Sequence, residues 1–319
     1  MSTSPTDPGW FSFRNYRAVD GATQAYVVVV GLLVLFLHNE TVRFPGLLVG
    51  LHAGLAVALH VFLRSCARRP GGPIRRWLRD YYPILLYTAF FRETGEINRM
   101  VIPEFVDPWF IRWEQRWFGG QPSLEWMSRF PQTLVAEAFY AAYFSYYLMI
   151  AGTGFWLWWH RPAGFRHFVT VVSVVFYACY LAYVFLPVIG PRAFTYGQLP
   201  PALAGEIGVA VPVSLPASTQ AGPFAGVMRF LYRHFEALGA AFPSSHVVIA
   251  WTTLRLTWTH LPALRWIHSL AVVGLCLATV YCRYHYVVDV LAGTLVAVVL
   301  VPLADWWFRR TDSGGMASH

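Results

Sequence analysis

Residues 167–191 read HFVTVVSVVFYACYLAYVFLPVIGP, a run without a single Arg, Lys, Asp or Glu. A helix needs roughly 20 mostly apolar residues to cross a bilayer, so this stretch alone is long enough to span one. Charge returns immediately after it, in Gly190-Pro191-Arg192. Outward from this run the pattern repeats. Uncharged stretches of similar length lie at 21–39, 44–63 and 138–160, and shorter or charge-bearing ones at 243–260, 266–282 and 284–304. Segment 81–102 begins apolar, from Tyr81 to Phe91, and then carries Arg92, Glu93, Glu96 and Arg99.

The whole chain of 319 residues is 56% apolar and 13% charged, with a mean hydropathy of +0.46. A soluble chain averages roughly 25% charged residues. The composition excludes a disordered chain, a disulfide scaffold and a nucleic-acid-binding domain. The net charge of +8 comes entirely from Arg, since the sequence has no Lys. In a membrane chain such an excess reports orientation. Arg64, Arg68, Arg69, Arg75, Arg76 and Arg79 form one cluster. Arg14 and Arg17, the loop with Arg161 and Arg166, then Arg265, and finally Arg309 and Arg310, share its side only if 81–102 crosses as well. The expectation is an all-α polytopic membrane bundle of about eight spanning helices, in the cell membrane, with both termini cytoplasmic.

The division that follows is a polar N-terminal segment (1–20), two additional helices with an Arg-rich loop (21–80), a six-helix core (81–306) and a tail (307–319). The polar start shows no small-residue cleavage site, so the first span reads as a retained helix. On the opposite side from the Arg cluster, residues 103–135 mix Trp109, Trp113, Trp117 and Trp126 with charges, which suits a segment lying in the headgroup region. The other long segment there, 190–242, reads as an ordered loop followed by a short helix at 225–240. Cys66, Cys179, Cys276 and Cys282 have no metal-ligand spacing and read as inert thiols.

Three polar clusters interrupt the apolar pattern, and the topology brings all three to the side away from the Arg cluster. They are Gly190-Pro191-Arg192, then Pro243-Ser244-Ser245-His246, then the turn from Cys282 to Asp289. Ser244, before a long apolar helix, is a natural N-cap, and the helix start at Ser245 and His246 is a ready anion site. His285 and Asp289 are four apart, on one helical face. A carboxylate there fixes the imidazole tautomer and leaves the other nitrogen nucleophilic. Arg192 and Arg283 are the groups to clamp an anion. This set suits phosphoryl transfer with charge stabilised by guanidinium and backbone N–H, and it demands no metal and no cofactor.

Pro243-Ser-Ser-His246 and His285-x-x-x-Asp289 resemble the second and third signatures of the type 2 phosphatidic acid phosphatase superfamily, and Pro191-Arg192 is similar to the first. The resemblance covers the six helices from about 81 to 306. It implies that His285 attacks phosphorus to form a phosphohistidine, that Asp289 orients it, and that His246 serves as acid and then base. It also implies that Arg192, Arg283, Ser244 and Ser245 hold the phosphate oxygens. The commoner branch has Lys where Phe185 stands, Arg where Thr279 stands, and Gly where Ser245 stands. These features look more like the branch containing fungal inositol phosphorylceramide synthase and its bacterial relatives. The implied partners are membrane lipids: a lipid phosphate or phospholipid donor and, for transfer, a lipid alcohol acceptor. The active site then faces the extracytoplasmic side. A non-catalytic lipid-binding or lipid-translocating protein is the rival from another class.

Other polar residues have plainer readings. Arg229 and Arg233 share a helical face and either touch a headgroup or meet solvent. Arg92, Glu93, Glu96 and Arg99 are expected to pair within their own helix, the alternative being that they line the polar end of the substrate cavity. His38, His52 and His60 lie on the first two helices, where His pairs can ligate haem. No second helix offers matching partners at their depth, so polar packing is expected.

Overall fold

The computed structural model describes residue 13 and residues 16–68, 71–196 and 214–312. The polar start before residue 13, Arg14, Arg69, residues 197–213 of the second long segment and the end beyond Asp312 lie outside the described residues. The described chain is helical: α1 (Ala18–Leu37), α2 (Pro45–Arg68), α3 (Pro73–Ile97), α4 (Asp107–Phe118), α5 (Pro122–Arg129), α6 (Thr133–His160), α7 (Pro162–Phe185), a single turn α8 (Ala193–Tyr196), α9 (Pro223–Phe235), α10 (Ser245–His260), α11 (Arg265–Tyr281) and α12 (Val287–Asp312).

Six of these, α1, α2, α6, α7, α12 and α11 with the short turn that precedes it, are long and apolar enough to cross a membrane. The other two helices expected to span are α3, which carries charge at both ends, and α10, which has 16 residues. Both pack within the same bundle. At 1.5 Å per residue α10 is roughly 24 Å long. It starts below the surface, where Ser244 is fully buried.

The run that opened the reading becomes α7, the axis of the bundle. It packs against α1, α3, α6, α10 and α12, and it is buried on nearly every face. Pro162 starts it, where the missing N–H costs nothing. Leu186-Pro187 stops it, because a residue before proline is driven out of the helical region, and Leu186 is at φ −136°, ψ 83°. The helix therefore ends at Phe185, six residues before the end of the apolar run. At the other extreme α12 continues through Pro302 to Asp312, so the segment expected as tail is helical as far as residue 312.

α4 and α5 lie between α3 and α6. Trp109, Trp113 and Trp117 form an exposed stripe on α4, while Asp107, Phe110, Ile111 and Glu114 are buried beneath it. This is the two-faced pattern expected of an interfacial segment. Gly119, at φ 66°, ends the helix in the left-handed conformation.

Candidate active site

The three polar clusters meet at one end of the bundle. After Pro187 the chain pairs briefly with 240–241: Ala241 N–H donates to the Val188 carbonyl at 2.9 Å. Gly190 turns at φ +92°, and a Cβ there would lie 3.0 Å from the Tyr284 carbonyl oxygen. A side chain would be both strained and crowded. The second cluster begins with a cis Phe242-Pro243 bond and leads to Ser244. Ser244 caps α10 as expected, its Oγ accepting from Val247 N–H at 3.4 Å.

The helix start is less open than the sequence suggests. Ser245 N–H donates to the Tyr183 hydroxyl (3.2 Å), which itself donates to the Pro243 carbonyl (3.1 Å). Tyr183, from the opening run, is thus a support of the site that the motif reading missed.

The third cluster is a tight turn. Tyr284 and His285 N–H both point at the Thr279 carbonyl, and Arg283 is in the left-handed region at φ 61°. Asp289 reaches back from the first turn of α12. Its Oδ2 accepts from Tyr286 N–H at 2.9 Å, half of a capping box. The same oxygen stands 3.3 Å from His285 Nδ1. With Asp289 ionised, Nδ1 carries the proton and the Nε2 lone pair is left for chemistry. Ser244 N–H meets the Asp289 carbonyl at 3.3 Å, and Gly293 lets α12 pass so near that a Cβ would lie 2.9 Å from the Ser244 oxygen. The starts of α10 and α12 are therefore joined directly.

His246 and His285 face each other with ring centroids 5.9 Å apart, and both line a cavity of about 90 Å³. Tyr143 and Tyr146 stack around His246. Burial drives the His285 imidazole down to about 3, with the His246 charge adding to that and a backbone hydrogen bond to Ala241 opposing it. The ring is neutral at neutral pH, as a nucleophile requires.

Arg192 and Arg283 are buried beside this cavity without lining it. Arg192 donates to the Cys282 carbonyl at 2.9 Å, and its guanidinium lies 5.0 Å from the centre of the Tyr284 ring. That ring lines the cavity, which places the charge against the cavity's aromatic lining. Arg283 donates to Ser128 Oγ (2.9 Å) and to the Ser214 carbonyl (3.3 Å). Burial, followed by the neighbouring Arg192 charge, brings its guanidinium down to about 10. Glu236 lines the cavity as well, and burial pushes its carboxyl up to about 8 against the pull of Tyr232 and Arg192.

Two further carboxylates were not singled out from the sequence. Asp107, fully buried, accepts from Ile189 N–H, Gly190 N–H and the Tyr286 hydroxyl, each at 2.9 Å. Glu114 accepts from Val287 N–H at 2.7 Å and from Ser123 Oγ at 2.6 Å. Burial raises both carboxyls, and these hydrogen bonds counter it. Seven residues apart on α4, they grip the first and third clusters by their main chain. Their spacing within a Trp-rich helix was the available signal.

The remaining candidates lie elsewhere. Arg229 points to the Gln220 carbonyl at 3.4 Å, and Arg233 is exposed on α9; neither lines the cavity. Glu93 bonds His52 of α2 at 2.7 Å, so the expectation of pairing within α3 is corrected for it. His60 meets the Tyr16 hydroxyl and His38 its own Val34 carbonyl. The three histidines serve separate contacts, as polar packing requires.

The described chain is thus a helical membrane bundle with two facing histidines, one of them held by a carboxylate, at one end. A family model described as the PAP2 superfamily matches residues 108–303, and the chain belongs to that superfamily. No curated protein and no solved structure matches the chain.

Proposed function

We propose that the protein cleaves a lipid phosphoester through a phosphohistidine on His285 and passes the phospho-group to water or to a lipid alcohol. The observation that carries this reading is the meeting of His285, Asp289 and His246 around one small cavity, from two helix starts some forty residues apart. His285 Nε2 attacks phosphorus, the bond from phosphorus to the lipid oxygen breaks, and that oxygen takes a proton from His246. His246 then removes the proton from the incoming water or alcohol as its oxygen displaces His285. Asp289 holds the attacking tautomer. Arg192 and Arg283, buried beside the cavity, stabilise the phosphoryl charge from behind its lining, the resemblance adds Ser244 and Ser245 at the start of α10, and no metal is required. The Arg-rich end is cytoplasmic by the positive-inside rule, which turns the site to the other side.

Phe185, Thr279, Ser245 and Arg283 look more like the inositol phosphorylceramide synthase branch, so the alternative is a phosphoinositol-type headgroup transferase that makes a phosphosphingolipid or phospholipid. Product analysis tests all of this. Wild type and His285→Ala are incubated with a total lipid extract, and lipids and water-soluble products are compared by mass spectrometry. Free phosphate or a phospho-headgroup beside a dephosphorylated lipid, absent in the variant, marks hydrolysis. A new phospholipid or phosphosphingolipid, absent in the variant, marks transfer. Identical profiles would sink the catalytic reading and favour a lipid binder or translocator.

A further inference from the structure

A second and larger cavity, about 550 Å³, continues from the site along the bundle between α3, α6 and α7. The two share Phe91, Tyr147, Phe235 and His246, so they adjoin at these residues, the first with Glu236 and both histidines in its lining and the second mostly apolar. The back wall is a single stripe of α7, Phe168, Val172, Phe176 and Tyr180, one residue per turn. α3 and α6 each pack on α7, but their backbones stay apart along most of their length. They are tied at the Arg-rich end, where Trp158 Nε1 donates to Asp80 at 3.1 Å. There Tyr81 also meets Trp158 edge-on and Phe165 at a tilt, with ring centroids 5.4 and 5.2 Å apart. The cleft thus has a floor of aromatic rings and a side open towards the lipid.

Resting on the phosphoryl-transfer reading, we infer that this cleft takes one hydrocarbon chain of the substrate and that its aromatic floor limits the length of chain accepted. A phosphate placed between His246 and His285 has its ester oxygen at the mouth of the cleft, and an attached chain has this space before it. Depth follows from helix geometry. Tyr81 to Phe91 on α3 spans roughly 15 Å and Phe168 to Tyr180 on α7 roughly 18 Å. At about 1.2 Å per bond, the advance of an extended polypeptide backbone, the cleft holds a chain of about 12 to 15 bonds. Longer chains must bend out between α3 and α6. The occupant is a hydrocarbon chain because most of the surface that the three helices give to the cleft is apolar or aromatic.

The test uses alkyl phosphates of about 8, about 12 and about 18 carbons, each with a photoreactive diazirine at the chain end. Wild type and His285→Ala are irradiated in vesicles, and crosslinked peptides are mapped. Expected is capture by α6 and α7 that moves towards Phe155 and Phe168 from the shortest chain to the middle one. The longest should crosslink outside the cleft. Because His285→Ala is expected to give the same map without turnover, chain placement is read even if the catalytic reading fails. In parallel, kcat/KM should rise to about 12 carbons and level off.

Ala151, exposed on the α6 wall, provides the blocking variant. Ala151→Phe should lower kcat/KM for the middle chain about tenfold while sparing the shortest, which also reports that it folds. Tyr81→Ala should move the plateau to longer chains. Crosslinks scattered over the outer helix faces, or equal chain preference in wild type and Ala151→Phe, would overturn the inference.

Discussion

The two ends of the bundle hold the same kinds of charge and use them in opposite ways. At the Arg-rich end cations and carboxylates are matched: Arg17 with Asp80, Arg79 with Asp20, Arg166 with Asp312, and Arg255 and His167 with Asp305. At the site end, Asp107, Glu114 and Asp289 take hydrogen bonds from main-chain N–H and hydroxyl groups. Arg192 donates to a carbonyl and lies over the Tyr284 ring, and Arg283 donates to a carbonyl and a hydroxyl. Matched charges hold helices together and leave little field. Charges held by neutral hydrogen-bond partners leave more of a field that an incoming anion can use. The lesson is that burial alone does not mark function; the choice of partner does.

The largest effect that separates the ends is chemical. His285→Ala should lower turnover at least about a thousandfold, whereas His167→Gln at the other end should keep it within about threefold per folded molecule. Assays on lipid phosphate, normalised to folded protein, decide this, and equal losses would erase the distinction. Next are the buried carboxylates. Asp20→Ala strips Arg79 and should cost about 3–5 kcal/mol. Asp107→Ala orphans two buried N–H groups and should cost about 3 kcal/mol. Thermal melts in detergent should show both. Only Asp107→Ala should also lower kcat in the molecules that remain folded.

A smaller effect depends on pH. Below about 8 the Glu236 carboxyl is neutral; above it, the carboxylate beside Arg192 opposes a phosphate. Vanadate, which mimics the phosphoryl transition state, should bind several-fold more weakly as pH rises through that value, and Glu236→Gln should remove the dependence. An unchanged profile in the variant would exclude Glu236 as its source. Smallest is the exposed pair Arg129 and Glu125: Arg129→Ala should shift stability by no more than about 0.5 kcal/mol.

The sequence carried the fold well where periodicity and length suffice, as in α7, whose uncharged run could be little else in a membrane chain. It carried the signature residues too, because Ser244, His246, His285 and Asp289 have chemistry that an apolar helix has no use for. What it did not carry was partner choice across the chain. Glu93 beside Arg92 and Arg99 looks like a local pair, yet His52 was the better placed partner in space. Ser245 N–H looked open until Tyr183 was found against it. Asp107 and Glu114 were hidden among tryptophans, since nothing local says that their acceptors face another helix. Arg192 shows the same limit: its type was legible, but its place over the Tyr284 ring and outside the cavity lining was not.

The grip of α4 is exerted largely on main-chain amides, those of Ile189, Gly190 and Val287. Amides are common to almost every residue, so this hold is indifferent to the side chains of Ile189 and Val287, whereas Gly190 is fixed by its left-handed turn. Mutational drift can therefore reshape the lining of the site without unseating its frame, provided the two acids persist. The arrangement separates what is inherited from what can be varied: a fixed mount with exchangeable fittings, open to new substrates by small steps.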